Sequence, residues 1–156
     1  YRAGIMANRL SLDALAPVMA DMLQSGREVS FSPEGDSMLP LLSPGRCKVV
    51  LTRLDTPPRK HDILFYRREN GIFLLHRVVS VEANGYTMCG DNQYVLETGL
   101  KPQNIIGLVK GFYQDGVYNG LNTPGYRLYC RTLWARRGWL KLRARVMGKC
   151  RQWTKK

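Results

Sequence analysis

Hydrophobic and polar positions change their period twice along this 156-residue chain. Between Ser11 and Ser25, Leu12, Leu15, Val18, Met19, Met22 and Leu23 recur three and four apart, which predicts a helix with one apolar face. Ser11 can cap it, Asp13 lies in its first turn and Gly26 stops it. Pro17 interrupts the pattern, so either the helix is kinked there or its regular part begins at Pro17. From Glu28 to Tyr118 the pattern becomes short runs rich in Val, Ile, Leu, Phe and Tyr. Strands are expected at Glu28–Ser32, Cys47–Arg53, Asp62–Arg67, Ile72–Val81, Tyr86–Cys89 and Ile105–Tyr113. Turn residues separate them, and Asn70-Gly71 and Asn84-Gly85 are hairpin signals. Many short strands with close turns predict a mostly β fold, a small coiled antiparallel sheet or partial barrel. After a loop over Gly116–Gly125 the helical period returns from about Arg127. The chain therefore divides into an N-terminal helical segment (1–27), a β domain (28–118) and a loop with a C-terminal helix (119–156).

Composition adds limits. At 44% hydrophobic and 23% charged, the chain suits a globular domain. No apolar run is long enough to cross a bilayer as a helix, and the first ten residues do not read as a secretory signal. A cytoplasmic protein, or one peripheral at a membrane, is expected. Cys47, Cys89, Cys130 and Cys150 are too far apart to spell a zinc knuckle or a redox pair, so reduced thiols and no metal or cofactor are expected.

The candidate chemistry lies in the β region. A serine hydroxyl is a poor nucleophile at neutral pH unless a base is within reach and donors await the oxyanion. Ser37 sits in the turn Gly35-Asp36-Ser37-Met38-Leu39-Pro40. Gly35 permits a sharp backbone approach, Met38 can anchor the turn in the core, and Pro40 fixes its exit. His76 lies inside an apolar run, where it can stay neutral and act as a base. Asp91 follows in Gly90-Asp91-Asn92, with Glu97 as a second acid six residues on. Each has a plainer reading: Ser37 and Asp91 as turn residues, His76 as a structural strand residue.

Taken together, Gly35-Asp36-Ser37-Met38-Leu39-Pro40, Asp62-Ile63-Leu64-Phe65, Leu75-His76-Arg77-Val78 and Gly90-Asp91-Asn92 resemble the signal peptidase family, in the branch that uses a histidine base. The similarity covers about Val29 to Val109. It implies a coiled, mostly β serine endopeptidase acting on leader-type or other extended peptides. It also implies Ser37 as nucleophile, His76 as base, Asp91 as acid partner and Glu97 in place of the family's second aspartate. Asp36 before the serine is instead similar to the self-cleaving SOS-repressor-type proteases, which use a lysine base. Three outcomes are open: a peptidase acting on other chains, a peptide- or membrane-binding module on the same fold, and self-cleavage.

Charge singles out the tail. The net charge is +12, and no acid follows Asp115. Residues 117–156 hold eleven Lys and Arg, whereas residues 1–116 hold thirteen against twelve acids. Trp139, Leu142, Val146, Cys150 and Trp153 share one stripe of the expected helix, and Arg137, Lys141, Arg145 and Lys149 another. That pattern fits an anionic membrane surface. Packing of the tryptophan stripe on its own domain and binding of nucleic acid are the competing readings.

Overall fold

A computed structural model describes the backbone of residues 3–153 and the side chains of residues 12–147. Its centre is one eight-stranded antiparallel sheet that does not close on itself, flanked by two helices. In chain order the elements are α1 (Ala3–Gln24), β1 (Val29–Phe31), β2 (Cys47–Thr52), β3 (Ile63–Arg67), β4 (Phe73–Glu82), β5 (Gly85–Cys89), β6 (Glu97–Leu100), β7 (Ile105–Gln114), β8 (Val117–Gly120) and α2 (Pro124–Trp153). The strand order is β1-β2-β7-β3-β4-β5-β6, and β8 pairs with the far end of β7.

All six expected strands form, within a residue or two of their expected ends. Two more were not foreseen. β8 lies inside the stretch expected to be a loop. It forms because Asp115 and Gly116 both take positive φ, 50° and 83°, and close a two-residue hairpin that pairs Gln114 with Val117. β6 is only Glu97-Thr98-Gly99-Leu100, too short and too polar to show as an apolar run, yet it pairs with β5 at Tyr86 and Met88. The helices are longer than expected. α1 runs from Ala3 and continues across Pro17, while α2 begins at Pro124, a good first position because proline needs no amide donor there. The mostly β, antiparallel character expected of the chain is present, and the sheet is open rather than closed on itself.

β3 sits in the middle and is covered on both faces. Ile63 and Phe65 belong to the larger core with Met19, Leu23, Val49, Leu51 and Val109. Leu64 and Tyr66 belong to a second cluster with Val78, Tyr86, Met88 and Leu100. A fully buried aliphatic side chain contributes about 1.5–3 kcal/mol, so the larger cluster dominates the stabilisation and holds β2, β3 and β7 in register. α1 inserts Met19 and Leu23 into it. α2 is docked through Cys130 and Leu133, both buried, early in its length. Cys47, Cys89 and Cys130 are free thiols; the side chain of Cys150 lies outside the described residues. No helix among the described residues is long and apolar enough to cross a membrane.

Candidate active site

β4 carries His76 and Arg77 in succession, and neighbouring strand residues point to opposite faces of a sheet. The two sides of β4 at this level are therefore different environments. Both side chains are buried.

On the His76 side, β3 places Leu64 directly across and Tyr66 one pleat along. The Tyr66 hydroxyl lies 3.3 Å from His76 Nδ1 and donates to Glu97 Oε2 at 2.8 Å. Arg68 holds the same carboxylate through both oxygens, Nε to Oε1 and Nη2 to Oε2, each at 2.6 Å. These directions are best satisfied by one tautomer. The Tyr66 proton goes to Glu97, so the Tyr66 oxygen accepts from Nδ1–H, and the free lone pair of the imidazole is on Nε2. Nε2 is buried and has no hydrogen-bond partner among the described residues.

Burial pushes the His76 pKa below its ordinary value, and Glu97 only partly opposes this. The Nδ1–Glu97 separation of 4.0 Å is therefore not an ion pair at neutral pH, because the ring is neutral. Burial would raise the Glu97 pKa, but the hydrogen bonds from Arg68 and then Tyr66 outweigh it and hold the carboxyl below its usual range. Burial and then the Glu97 hydrogen bond push the Tyr66 phenol upward, so it stays a neutral donor.

On the Arg77 side the two central groups, Arg77 and Asp91, are matched to each other and to their neighbours, while Arg137 from α2 buries its Nε and Nη2 nearby, unpartnered among the described residues. Arg77 donates to Asp91 through Nε (2.7 Å) and Nη2 (2.6 Å). Its Nη1 donates to the His61 carbonyl at 2.9 Å and to the Tyr126 hydroxyl. Asp91 also accepts from the Tyr129 hydroxyl at 2.9 Å, and its backbone carbonyl accepts from Arg136 at 3.1 Å. Burial works against the Arg77 charge, but the Asp91 hydrogen bonds more than restore it. The hydrogen bonds of the Asp91 carboxylate go to Arg77 and Tyr129, and none goes to His76. The acid that reaches His76, through Tyr66, is Glu97.

Ser37 meets this region through its backbone. Gly35, at φ 80°, turns the chain, and Leu39 N donates to Asp36 O at 3.2 Å. Met38 and Leu42 are buried in the larger core and pin the turn, while Gly35, Asp36 and Pro40 are exposed. The Ser37 carbonyl accepts from the Asn92 amide at 2.8 Å. It also packs so tightly on Gly90 that a Cβ there would lie 2.5 Å from the Ser37 oxygen, so this approach requires glycine. Arg77 pairs with Cys89, which brings Gly90 level with His76 across the β4–β5 ladder. The Ser37 turn is thus fastened to the strand end beside His76, although its hydroxyl makes no hydrogen bond to Nε2. Next to this site is a cavity of about 360 Å³ lined by His76, Arg68, Glu97, Asn92, Tyr94 and Val95.

On α2, Trp139 is 56% exposed and lies with Leu142 and Val146 on the solvent side. Lys141 and Arg145 are exposed beside them, whereas Arg137 turns inward and buries its Nε and Nη2. The side chains of Lys149 and Trp153 lie outside the described residues.

Tyr66, Arg68 and Tyr129 were not foreseen in the sequence, nor was the pairing of Arg77, quoted there only as part of its motif, with Asp91. Tyr66 and Arg68 had a usable signal. Pairing β3 with β4 through the Asn70-Gly71 turn puts Tyr66 on the His76 face. Tyr129 had none, since its contact with Asp91 depends on how α2 docks. No protein-family model matches the chain, and no curated protein matches it.

Proposed function

We propose that this protein is a serine endopeptidase with Ser37 as nucleophile and His76 as general base, in a β domain of the signal peptidase and SOS-repressor protease type. One observation carries the reading: a neutral, buried imidazole is oriented through Nδ1 by Tyr66 and leaves Nε2 free beside the Ser37 turn. A histidine kept only for structure is usually satisfied at both nitrogens.

In the proposed reaction an extended peptide places its scissile carbonyl against Ser37. The hydroxyl attacks as its proton passes to Nε2. The resulting imidazolium is stabilised through Tyr66 by the Glu97 carboxylate, which Arg68 holds ionised. His76 then gives the proton to the leaving amine, and water releases the acyl group by the same route in reverse. Glu97 takes the orienting part that the family resemblance assigns to Asp91, while Asp91 holds the site by tying β4, β5 and α2 together. The cavity walled by Tyr94 and Val95 accommodates an apolar side chain next to the cut. The test is cleavage of a leader-type peptide library. The parent should cut, and Ser37→Ala should be inactive with unchanged folding; equal cutting by that variant would remove the nucleophile.

The missing Ser37–His76 hydrogen bond favours one second reading, a peptide-holding module with weak or no catalysis. Peptide retention without cleavage by the parent would select it.

The outer face of α2 gives the proposed enzyme a location. Leu128, Trp139, Leu142 and Val146 are each more than half exposed, and they follow one stripe opposite the side docked through Cys130 and Leu133. The described part of this stripe is not covered by its own domain, which supports a surface role for it over self-packing. Exposed lysines and arginines flank it and no acid lies beyond Asp115, which complements an anionic lipid surface. Sedimentation with anionic, but not zwitterionic, vesicles that weakens in Trp139→Ala is expected. Binding to duplex or single-stranded nucleic acid with no vesicle binding would instead make α2 a phosphate-backbone reader.

A further inference from the structure

A second cavity, of about 570 Å³, lies away from His76, between the start of α2, the turn before β3, and β7. Its charged lining is mostly basic, with Lys60, Lys110, Arg127 and Arg131, and His61, Thr52, Asn122 and Tyr126 add neutral polar groups. One acid is present, Asp62, and its carboxylate accepts the Arg59 amide at 2.7 Å. Lys110 reaches out to Glu28 at 2.6 Å. Lys60, Arg127 and Arg131 have no acidic partner among the described residues. Three unpaired cations converging on one concavity repel one another, and a low-dielectric wall focuses their field.

The walls are held in place rather than left to swing. His61 occupies the left-handed region at φ 80°, which a non-glycine residue adopts at a cost. Its amide donates to Val78 O at 2.9 Å, and its carbonyl accepts from Arg77 (2.9 Å) and from Tyr126 (3.2 Å). The turn bearing Lys60 and His61 is thereby tied to both β4 and the first turn of α2. Burial, then Arg77, Lys60 and Arg137, push the His61 pKa down, and Asp62 only partly opposes them. The first turn of α2 adds the positive end of its helix dipole. Leu108, Val109 and Leu121 form an apolar wall, and the volume exceeds what a bare phosphate fills.

We propose that this cavity is a binding site for a phosphate-bearing ligand, with the phosphate held by Lys60, Arg127 and Arg131 and its organic part against the Leu108–Leu121 wall. The shared chemistry is a phosphate ester, whether free in solution or the headgroup of an anionic lipid. The site is independent of the proposed peptidase reaction, since none of these residues belongs to the Ser37–His76 region.

The test follows the His61 imidazole by NMR in the full chain during titration with inorganic phosphate, glycerol phosphate and phosphatidylglycerol vesicles. An anion seated beside His61 raises its pKa, so a saturable upward shift is expected with glycerol phosphate or with the vesicles. The double variant Arg127→Gln/Arg131→Gln should weaken that response by at least about tenfold, as the loss of two charge-assisted contacts implies. Lys141→Gln/Arg145→Gln, on the distal part of α2, should leave glycerol phosphate binding unchanged. Response to glycerol phosphate and vesicles alike supports a site for free phosphate esters; response to vesicles alone supports a headgroup site. No saturable shift with any of the three, or a shift that survives Arg127→Gln/Arg131→Gln, overturns the proposal. Unchanged resonances from the Arg77–Asp91 region show that the variants remain folded.

Discussion

His76 and Arg77 are neighbours in one strand, yet they stand in opposite electrostatic situations. Arg77 meets a bidentate carboxylate, a carbonyl and a phenol, and its partner Asp91 is equally occupied. His76 is neutral and held at one nitrogen only, with the other buried and free. A buried polar group without a partner is costly, of the order of 1–3 kcal/mol, so folds retain few of them without a use. The comparison separates two kinds of buried polar chemistry. The Arg77 side fixes how β4, β5 and α2 meet. The His76 side keeps a buried nitrogen without a partner, on the face where the backbone of the Ser37 turn is fastened to Gly90 and Asn92.

The largest effect that can break this comparison is on activity. Ser37→Ala should lower peptide cleavage by on the order of 10⁴- to 10⁶-fold while leaving the unfolding midpoint within experimental error, read by peptide kinetics and urea denaturation. If Ser37→Ala instead unfolds the protein with activity per folded molecule preserved, the two sides of β4 are both structural.

The next effect is on stability and belongs to the Arg77 side. Asp91→Asn removes the charge that neutralises a buried guanidinium, so it should cost about 3–5 kcal/mol in denaturant unfolding. Glu97→Gln, at a part-exposed carboxylate, should cost far less stability but slow cleavage more per folded molecule. A reversed order would mean that Asp91, not Glu97, serves the histidine.

Tyr66→Phe is smaller and sharper. It keeps the ring in the core and removes only the hydroxyl that fixes the imidazole. Misorientation on the ångström scale can cost about a hundredfold, so a loss of roughly tenfold to a hundredfold in kcat with little change in KM is expected from single-turnover kinetics. An unchanged kcat would detach Tyr66 from the base.

The smallest effect is linkage. Because burial lowers the His76 pKa, the unfolded chain binds a proton that the native state refuses as pH falls below the ordinary histidine value of about 6.5. Bound protons in the unfolded state then exceed those in the native state, so stability rises with pH across this window and is lost on acidification. His76→Gln should flatten that part of the stability–pH curve, measured by urea unfolding from about pH 5 to about pH 7. An equal slope in the variant would place the titration elsewhere.

Much of this was legible in the sequence where the signal is local. The six apolar runs became strands because Val, Ile, Leu and Phe at those positions had a core to enter. Ser37, His76, Asp91 and Glu97 were readable as candidates from the order of their motifs, and the fold brings Glu97 to His76 through Tyr66 and Asp91 to Arg77. What could not be read was the division of labour between the acids. Asp91 and Glu97 are six residues apart in one loop and strand, but the pleat of β4 sends their partners to opposite faces. That division depends on Tyr66 and Tyr129, and each comes from an element distant in sequence. β8 was legible in principle, because Asp115-Gly116 is a hairpin turn, but glycine-rich surroundings masked it as a loop. Arg137 shares a helical step with Lys141 and Arg145, and only the docking angle of α2 turns it inward.

The central claim is that His76 activates Ser37 through Nε2. Its most direct test is the rate of Ser37 modification by a fluorophosphonate as a function of pH, in the parent and in His76→Ala. The account predicts labelling at Ser37 that rises in one step with a midpoint below about 6.5 and is level through neutral pH. It predicts a midpoint shifted still lower in Glu97→Gln, since Glu97 supports the protonated ring, and a loss of at least about a hundredfold in His76→Ala. Labelling that is absent at every pH, or equally fast without His76, would contradict it.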